Sequence, residues 1–202
     1  TAGVDWKSRG IDWNAHLDGP PTREGITFRA GSKEKCQRFP LAAMIEGDYD
    51  AEFEFRRESG TEGVGVYFPV GGHGLHLGFG GANGKTASIS SVDGKNYSKS
   101  ELHRAPSLVE NGVDHRIAIR VRHTGEDASF EVDWDDEANY FAWSGQQSRL
   151  WNAEPPIWRL SMLRHLWLWS YANNVTFLKA RVRAVSGSIR RSWRTDEDRQ
   201  VD

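Results

Sequence analysis

The sequence holds a single cysteine, Cys36, in 202 residues. An intrachain disulfide framework is therefore excluded, and side-chain packing alone must build the core. Long apolar runs are missing as well: none approaches the ~20 residues that a membrane-spanning helix requires. Neither sign of charge dominates, with 26 Lys and Arg against 28 Asp and Glu and a formal net charge of -2. That balance excludes a globally basic nucleic-acid binder. The local basic cluster Arg190, Arg191 and Arg194 runs straight into Asp196, Glu197 and Asp198, which cancel its field within a Debye length. No segment keeps apolar residues at helical spacing for long, so at most a helical turn or two is expected. The chain opens at Thr1 without Met or a signal-like apolar stretch, and an excised domain or a processed chain is expected.

Aromatic residues are plentiful, with nine Trp, nine Phe and five Tyr, and they supply enough buried area for a substantial core. Apolar residues recur with period two. In Asp50 to Phe55, acids alternate with apolar residues, as on a strand with one wet face. Gly65 to Val70 and Leu75 to Phe79 flank Gly71, Gly72, His73 and Gly74, which read as a hairpin connection. The clearest alternation sets Ile117, Ile119 and Val121 against Arg116, Arg120 and Arg122. Further strands are predicted over Ser129 to Trp134, Tyr140 to Trp143, Trp158 to Met162, His165 to Trp169, and Val175 onward to Val185. Many short strands with turn signals between them define an all-β, two-sheet antiparallel β-sandwich of jelly-roll type with little or no helix. Residues 1–24 are expected as an N-terminal extension or first strand, 25–187 as the sandwich, and 188–202 as a charged tail or linker.

The order of several segments carries a resemblance. These are the extended Pro40 to Phe55 with Gly47, Asp48 and Tyr49; Gly65 to Gly71; Val92 to Asn96; Asn111 to Ile117; and the closing Asn173 to Val182. Together they resemble concanavalin A-like lectin/glucanase domains of the laminin-G type, particularly accessory versions in large planctomycete-like bacterial proteins. The resemblance spans roughly residues 25 to 187, and its motifs are structural. It implies two curved antiparallel sheets with the concave sheet or the loops at its edge open to a saccharide; an extracellular or periplasmic setting is expected only if a saccharide is bound. Function has to be argued from the site.

Laminarinase-like relatives of this fold place carboxylates on alternate positions of one strand. Period two spaces such residues about 7 Å apart, near the ~5–5.5 Å carboxyl separation of retaining hydrolysis. The nearest match is Glu131, Asp133 and Glu137, with Asp136 standing where the last Glu belongs. The same letters read as an ordinary strand ending at Trp134 and an acidic turn. Asp48, Asp50, Glu52 and Glu54 also share a face, which reads as a solvated sheet surface. The resemblance brings calcium into question, since laminin-G-like domains often hold one; Asp93 and Asn96 are the weak candidate ligands, although Asp93-Gly94 is also a plain turn signal. The seven His form no zinc pattern.

Sugar rings present an apolar face that stacks on aromatic side chains while polar neighbours read the hydroxyls. Trp167 and Trp169 share one face of their strand, with Leu166 and Leu168 opposite, so one pair is core and the other is available. Trp134 and Trp143 flank a turn, and Tyr67, His76, Asn96 and Tyr97 stand close to loops. These eight are the candidate ligand-binding residues, against the alternative that the Trp residues fill the core. The leading expectation is a non-catalytic carbohydrate-binding module. The alternatives are a glycoside hydrolase using Glu131, Asp133 and Glu137, and an architectural domain contacting other protein domains.

Overall fold

The computed structural model describes residues 10–12, 25–30, 36–90, 92–106, 109–151 and 163–191. The strand predicted over Trp158 to Met162 and the charged segment beyond Arg191 lie outside the described residues. The described residues form fourteen strands: β1 Gly10–Asp12, β2 Ile26–Phe28, β3 Cys36–Glu46, β4 Tyr49–Ser59, β5 Val64–Val70, β6 His73–Gly80 and β7 Thr86–Ser90. They continue as β8 His103–Arg104, β9 Asp114–Thr124, β10 Asp127–Trp134, β11 Glu137–Gln146, β12 His165–Tyr171, β13 Asn174–Ala184 and β14 Ser188–Arg191. Two seven-stranded antiparallel sheets form. The back sheet runs β1-β13-β4-β9-β10-β11 with β2 also on β13, and the front sheet runs β14-β3-β12-β5-β6-β7-β8. The fold is an all-β jelly-roll sandwich.

Alternation explains each layer. Ile117, Ile119 and Val121 of β9 point inward and are fully buried, as are Val66 and Phe68 of β5 and Leu75 and Leu77 of β6. Gly71 and Gly72 join β5 to β6 with φ of 57° and 84°, a left-handed pair that fits the right-handed twist of a two-residue hairpin. One difference from the sequence expectation is β14. Ser188–Arg191 pairs with β3 from Ser188 on Glu46 to Arg191 on Ala43. Ile189 packs against the core there, enough to dock a segment whose charge had marked it as a tail.

The outer face of the back sheet is a charge ladder. Cations of β13 and β9 alternate with the anions of β4 and β10 between and beside them. Arg122 and Arg183 both hold Asp50, at 2.7 and 2.6 Å. Glu52, only 5% exposed, receives Arg181 at 2.6 Å, Lys179 at 2.9 Å and Arg116 at 3.3 Å. Burial pushes its carboxyl up, and the hydrogen bonds from these three cations outweigh that and bring it down to about 2. The acidic face read in the sequence is thus a neutralised surface.

Candidate functional site

The outer face of the front sheet is built differently. Antiparallel register sets two rows across it. One runs Arg38, Trp169, Gly65, Gly78, Ser88 and His103; the other runs Pro40, Trp167, Tyr67, His76 and Ser90. In the first row two glycines face each other directly beside a tryptophan. The missing side chains leave a trough, and the Trp169 indole lies down in it. Its Nε1–H donates to the Leu77 carbonyl at 3.0 Å. A Cβ at Gly78 would sit 2.8 Å from Trp169 Cζ2, and one at Gly63 2.9 Å from Cη2. Both are closer than side chains pack, so glycine is required at each position.

Above this floor opens a cleft of about 240 Å³. Trp169, Tyr171 and Tyr97 supply its aromatic surfaces, and Thr86 and Ser88 of β7 supply hydroxyls. Glu62 stands at the end where β5 begins, and the Gly81–Gly84 turn closes the rim. In that turn Ala82 and Asn83 adopt left-handed φ of 52° and 61°, strain of the kind that clusters at binding sites. Tyr97 is 52% exposed and Trp169 only 3%, so the tyrosine is an open platform and the tryptophan a floor.

His76 packs against the tryptophan floor and against Tyr67. Its ring centroid is 4.4 Å from that of Trp169 and 4.9 Å from that of Tyr67. Its Nδ1 is 3.2 Å from Ser90 Oγ. Burial pushes its pKa down to about 3, so the imidazole is neutral at physiological pH and offers polarity without charge.

The structure brings together part of the candidate set. His76, Tyr97 and Trp169 line one cleft, and Trp167 and Tyr67 pack beside them. Tyr67 is mid-strand and fully covered rather than near a loop. Asn96 lies in an exposed loop, where its Oδ1 accepts from Ser98 Oγ at 2.9 Å. Trp134 and Trp143 do not belong to the site. Trp134 is stacked between Phe79 at 3.9 Å and His115 at 4.9 Å, and Trp143 stacks on Phe130 at 5.5 Å. Both rings are inward-facing members of the core, with Glu131 and Asp133 of β10 and Ala142 and Ser144 of β11 at the alternate, outward positions. The sequence reading missed Glu62, Gly63, Gly78, Thr86, Ser88 and Tyr171. Tyr171 and Gly78 were findable, since each continues the period-two set of Trp169 or His76.

Of the carboxylates of the hydrolase alternative, Glu131 and Asp133 sit on the outer face of the back sheet and Glu137 begins its edge strand β11. One guanidinium, that of Arg120, binds Glu131 at 2.8 Å and Asp133 at 2.6 and 2.7 Å. Its hydrogen bonds hold Asp133 below its usual range. Glu137 pairs instead with Arg104 at 2.7 Å. A general acid needs a raised carboxyl pKa and a shared cleft with its partner; these three carboxylates form no such pair. Asp93 is engaged too, with Arg149 Nε and Nη2 on its two oxygens at 2.9 and 2.6 Å. Among the described residues no three His, Cys, Asp or Glu gather as a metal site.

A larger cleft of about 400 Å³ opens at the sandwich end beside Gly71, His123 and Arg164. Its polar groups already satisfy one another. Arg164 binds Glu46 at 2.9 Å, His123 Nδ1 lies 3.0 Å from Asp48 Oδ1, and the Gly71 N–H donates to His123 Nε2 at 3.1 Å. Tyr49, the aromatic ring among its lining residues, donates its hydroxyl to the Pro69 carbonyl at 2.8 Å. The front-sheet cleft, with its exposed ring and available carboxylate, is the better candidate.

No protein-family profile matches the chain, and no curated protein matches it. Among solved structures the chain is similar to peanut lectin, with 10% identity, 88% of this chain and 98% of that one covered, and a TM-score of 0.47. It is similar to galectin LEC-6 of Caenorhabditis elegans, with 12% identity, 82% and 100% covered, and a TM-score of 0.41. It is similar also to the CBM40 of Ruminococcus gnavus IT-sialidase, solved bound to alpha2,3 sialyllactose, with 9% identity, 87% and 96% covered, and a TM-score of 0.44. None of these likenesses identifies a site in this chain.

Proposed function

We propose that the chain is a non-catalytic carbohydrate-binding module whose site is the front-sheet cleft over Trp169. The observation that carries this reading is the pairing, in one cleft, of aromatic surfaces from Trp169, Tyr171 and Tyr97 with hydroxyls of Thr86 and Ser88 and the carboxylate-bearing Glu62. Aromatic rings take the apolar face of a sugar, and the hydroxyls and carboxylate read its rim. At about 240 Å³ the cleft is smaller than the ~300–1,000 Å³ of drug-sized sites, which suits a single sugar ring. In this reading the chain is one module of a larger bacterial protein of the laminin-G-like accessory type, working outside the cytoplasm.

Isothermal calorimetry and a glycan array test this directly. Binding of a saccharide that weakens in Tyr97→Ala and Trp169→Phe supports the reading. Absence of binding to any saccharide, or release of reducing ends from β-glucans that is lost in Glu131→Gln, overturns it.

A further inference from the structure

The class of sugar follows from the charges of the same cleft. We propose that the site selects neutral sugars over acidic ones, with Glu62 as the specificity-determining residue; this rests on the saccharide reading above. Among the described residues, the cleft lining contains no Lys or Arg. Glu62 is pinned by its backbone: its N–H donates to Asn173 Oδ1 at 2.9 Å, and its carbonyl accepts from Asn173 Nδ2 at 2.8 Å and Arg57 Nη1 at 3.0 Å. That leaves the side chain free of structural duty. Unlike those of Glu131, Asp133 and Glu137, its carboxylate makes no hydrogen bond or ion pair with a described residue.

Arg57 interacts electrostatically with Glu62, so the carboxylate's charge is partly offset, but by a cation that does not line the cleft. Arg57 is buried, 4% exposed, and its donors go to Asn111 Oδ1, the Glu62 carbonyl and the Val109 carbonyl. Three of its five N–H donors are engaged in this way. Arg38 pairs with Trp169 from β3, on the side away from Gly65 and Gly78, and does not line the cleft. His76, desolvated within the sheet face, adds no positive charge.

A sugar hydroxyl donating to an ionised carboxylate makes a charge-assisted hydrogen bond. A uronate or sialic carboxylate brought to the same place meets a like charge, with no guanidinium to receive it. Neutral sugars therefore gain from Glu62 what acidic sugars lose.

The test uses matched pairs: methyl glucoside against methyl glucuronide, and methyl galactoside against methyl galacturonide. Titrations by calorimetry or NMR are run at low and high salt on the wild-type chain and on Glu62→Gln. The expected result is at least tenfold weaker binding of the acidic partner, ~1.4 kcal/mol. That ratio collapses in Glu62→Gln and narrows at 1 M salt, where the Debye length falls to about 3 Å. Equal binding of the two members, or a ratio unchanged in Glu62→Gln and in salt, overturns the inference while leaving the saccharide reading in place. Failure of both members of both pairs, with an array empty of neutral glycans, sinks the saccharide reading and the inference with it.

Discussion

Placing alanine at Gly78 tests the glycine trough under Trp169. The added methyl would lie 2.8 Å from Trp169 Cζ2, whereas ordinary carbon contacts begin near ~3.5 Å. The indole must therefore shift by roughly 0.7 Å or more, and its 3.0 Å bond to the Leu77 carbonyl lengthens or breaks. Overpacking of this kind costs about 1–3 kcal/mol, and the weakened hydrogen bond about 1 kcal/mol. Relief of glycine's excess chain entropy returns roughly 0.5–1 kcal/mol, so Gly78→Ala is expected to lose ~1–3 kcal/mol net. The decisive assay is a double-mutant cycle by urea denaturation. Trp169→Phe removes the benzo ring that carries Cζ2, so Gly78→Ala should cost far less in that background. The two substitutions then couple by ~1 kcal/mol or more. Additivity within about 0.5 kcal/mol would refute the trough.

Acid should destabilise the molecule through His76. Its folded pKa is pushed below the ordinary 6.5 to about 3, so between these values the unfolded chain binds a proton that the folded chain does not. The stability is present above pH 6.5 and falls with pH, by ~2 kcal/mol from pH 6.5 to 5 at 1.36 kcal/mol per unit. His73, lowered by burial, acts in the same direction. Urea midpoints at the two pH values for wild type and His76→Gln check the assignment, and an unchanged difference contradicts it. Replacing Arg120 by Met releases two carboxylates on the back sheet and is expected to cost about 1–2 kcal/mol without weakening saccharide binding; loss of binding in that variant would move the site to the wrong face. Chelation with EDTA is expected to leave Tm unchanged, because Arg149 occupies both oxygens of Asp93. A Tm that rises with added calcium contradicts this.

Much of the architecture was legible because burial acts on one face of a strand at a time. Ile117, Ile119 and Val121 could only be an inner face once Arg116, Arg120 and Arg122 were seen between them. The β12 strand was harder. Leu166 and Leu168 on one side and Trp167 and Trp169 on the other are both apolar, so period two could not say which faced the core. Gly65 and Gly78 decide it, yet they lie about 100 residues away in sequence and become neighbours of Trp169 only through sheet register. Trp134 and Trp143 misled for the converse reason, since strands flanking an acidic turn place aromatics inward as readily as outward. Glu62 carried no signal at all, because what positions it is the side chain of Asn173. The β14 strand was hidden because charge dominates Ser188–Arg191 and Ile189 is its only apolar residue.

The most direct test of the whole account is an NMR titration of the isotope-labelled chain with neutral saccharides. Perturbations should concentrate at Glu62 and Gly63, at His76 through Ser88, at Tyr97, and at the Trp169 indole N–H through Tyr171. Perturbations centred on Glu131 and Asp133, or on His123 at the sandwich end, would contradict it.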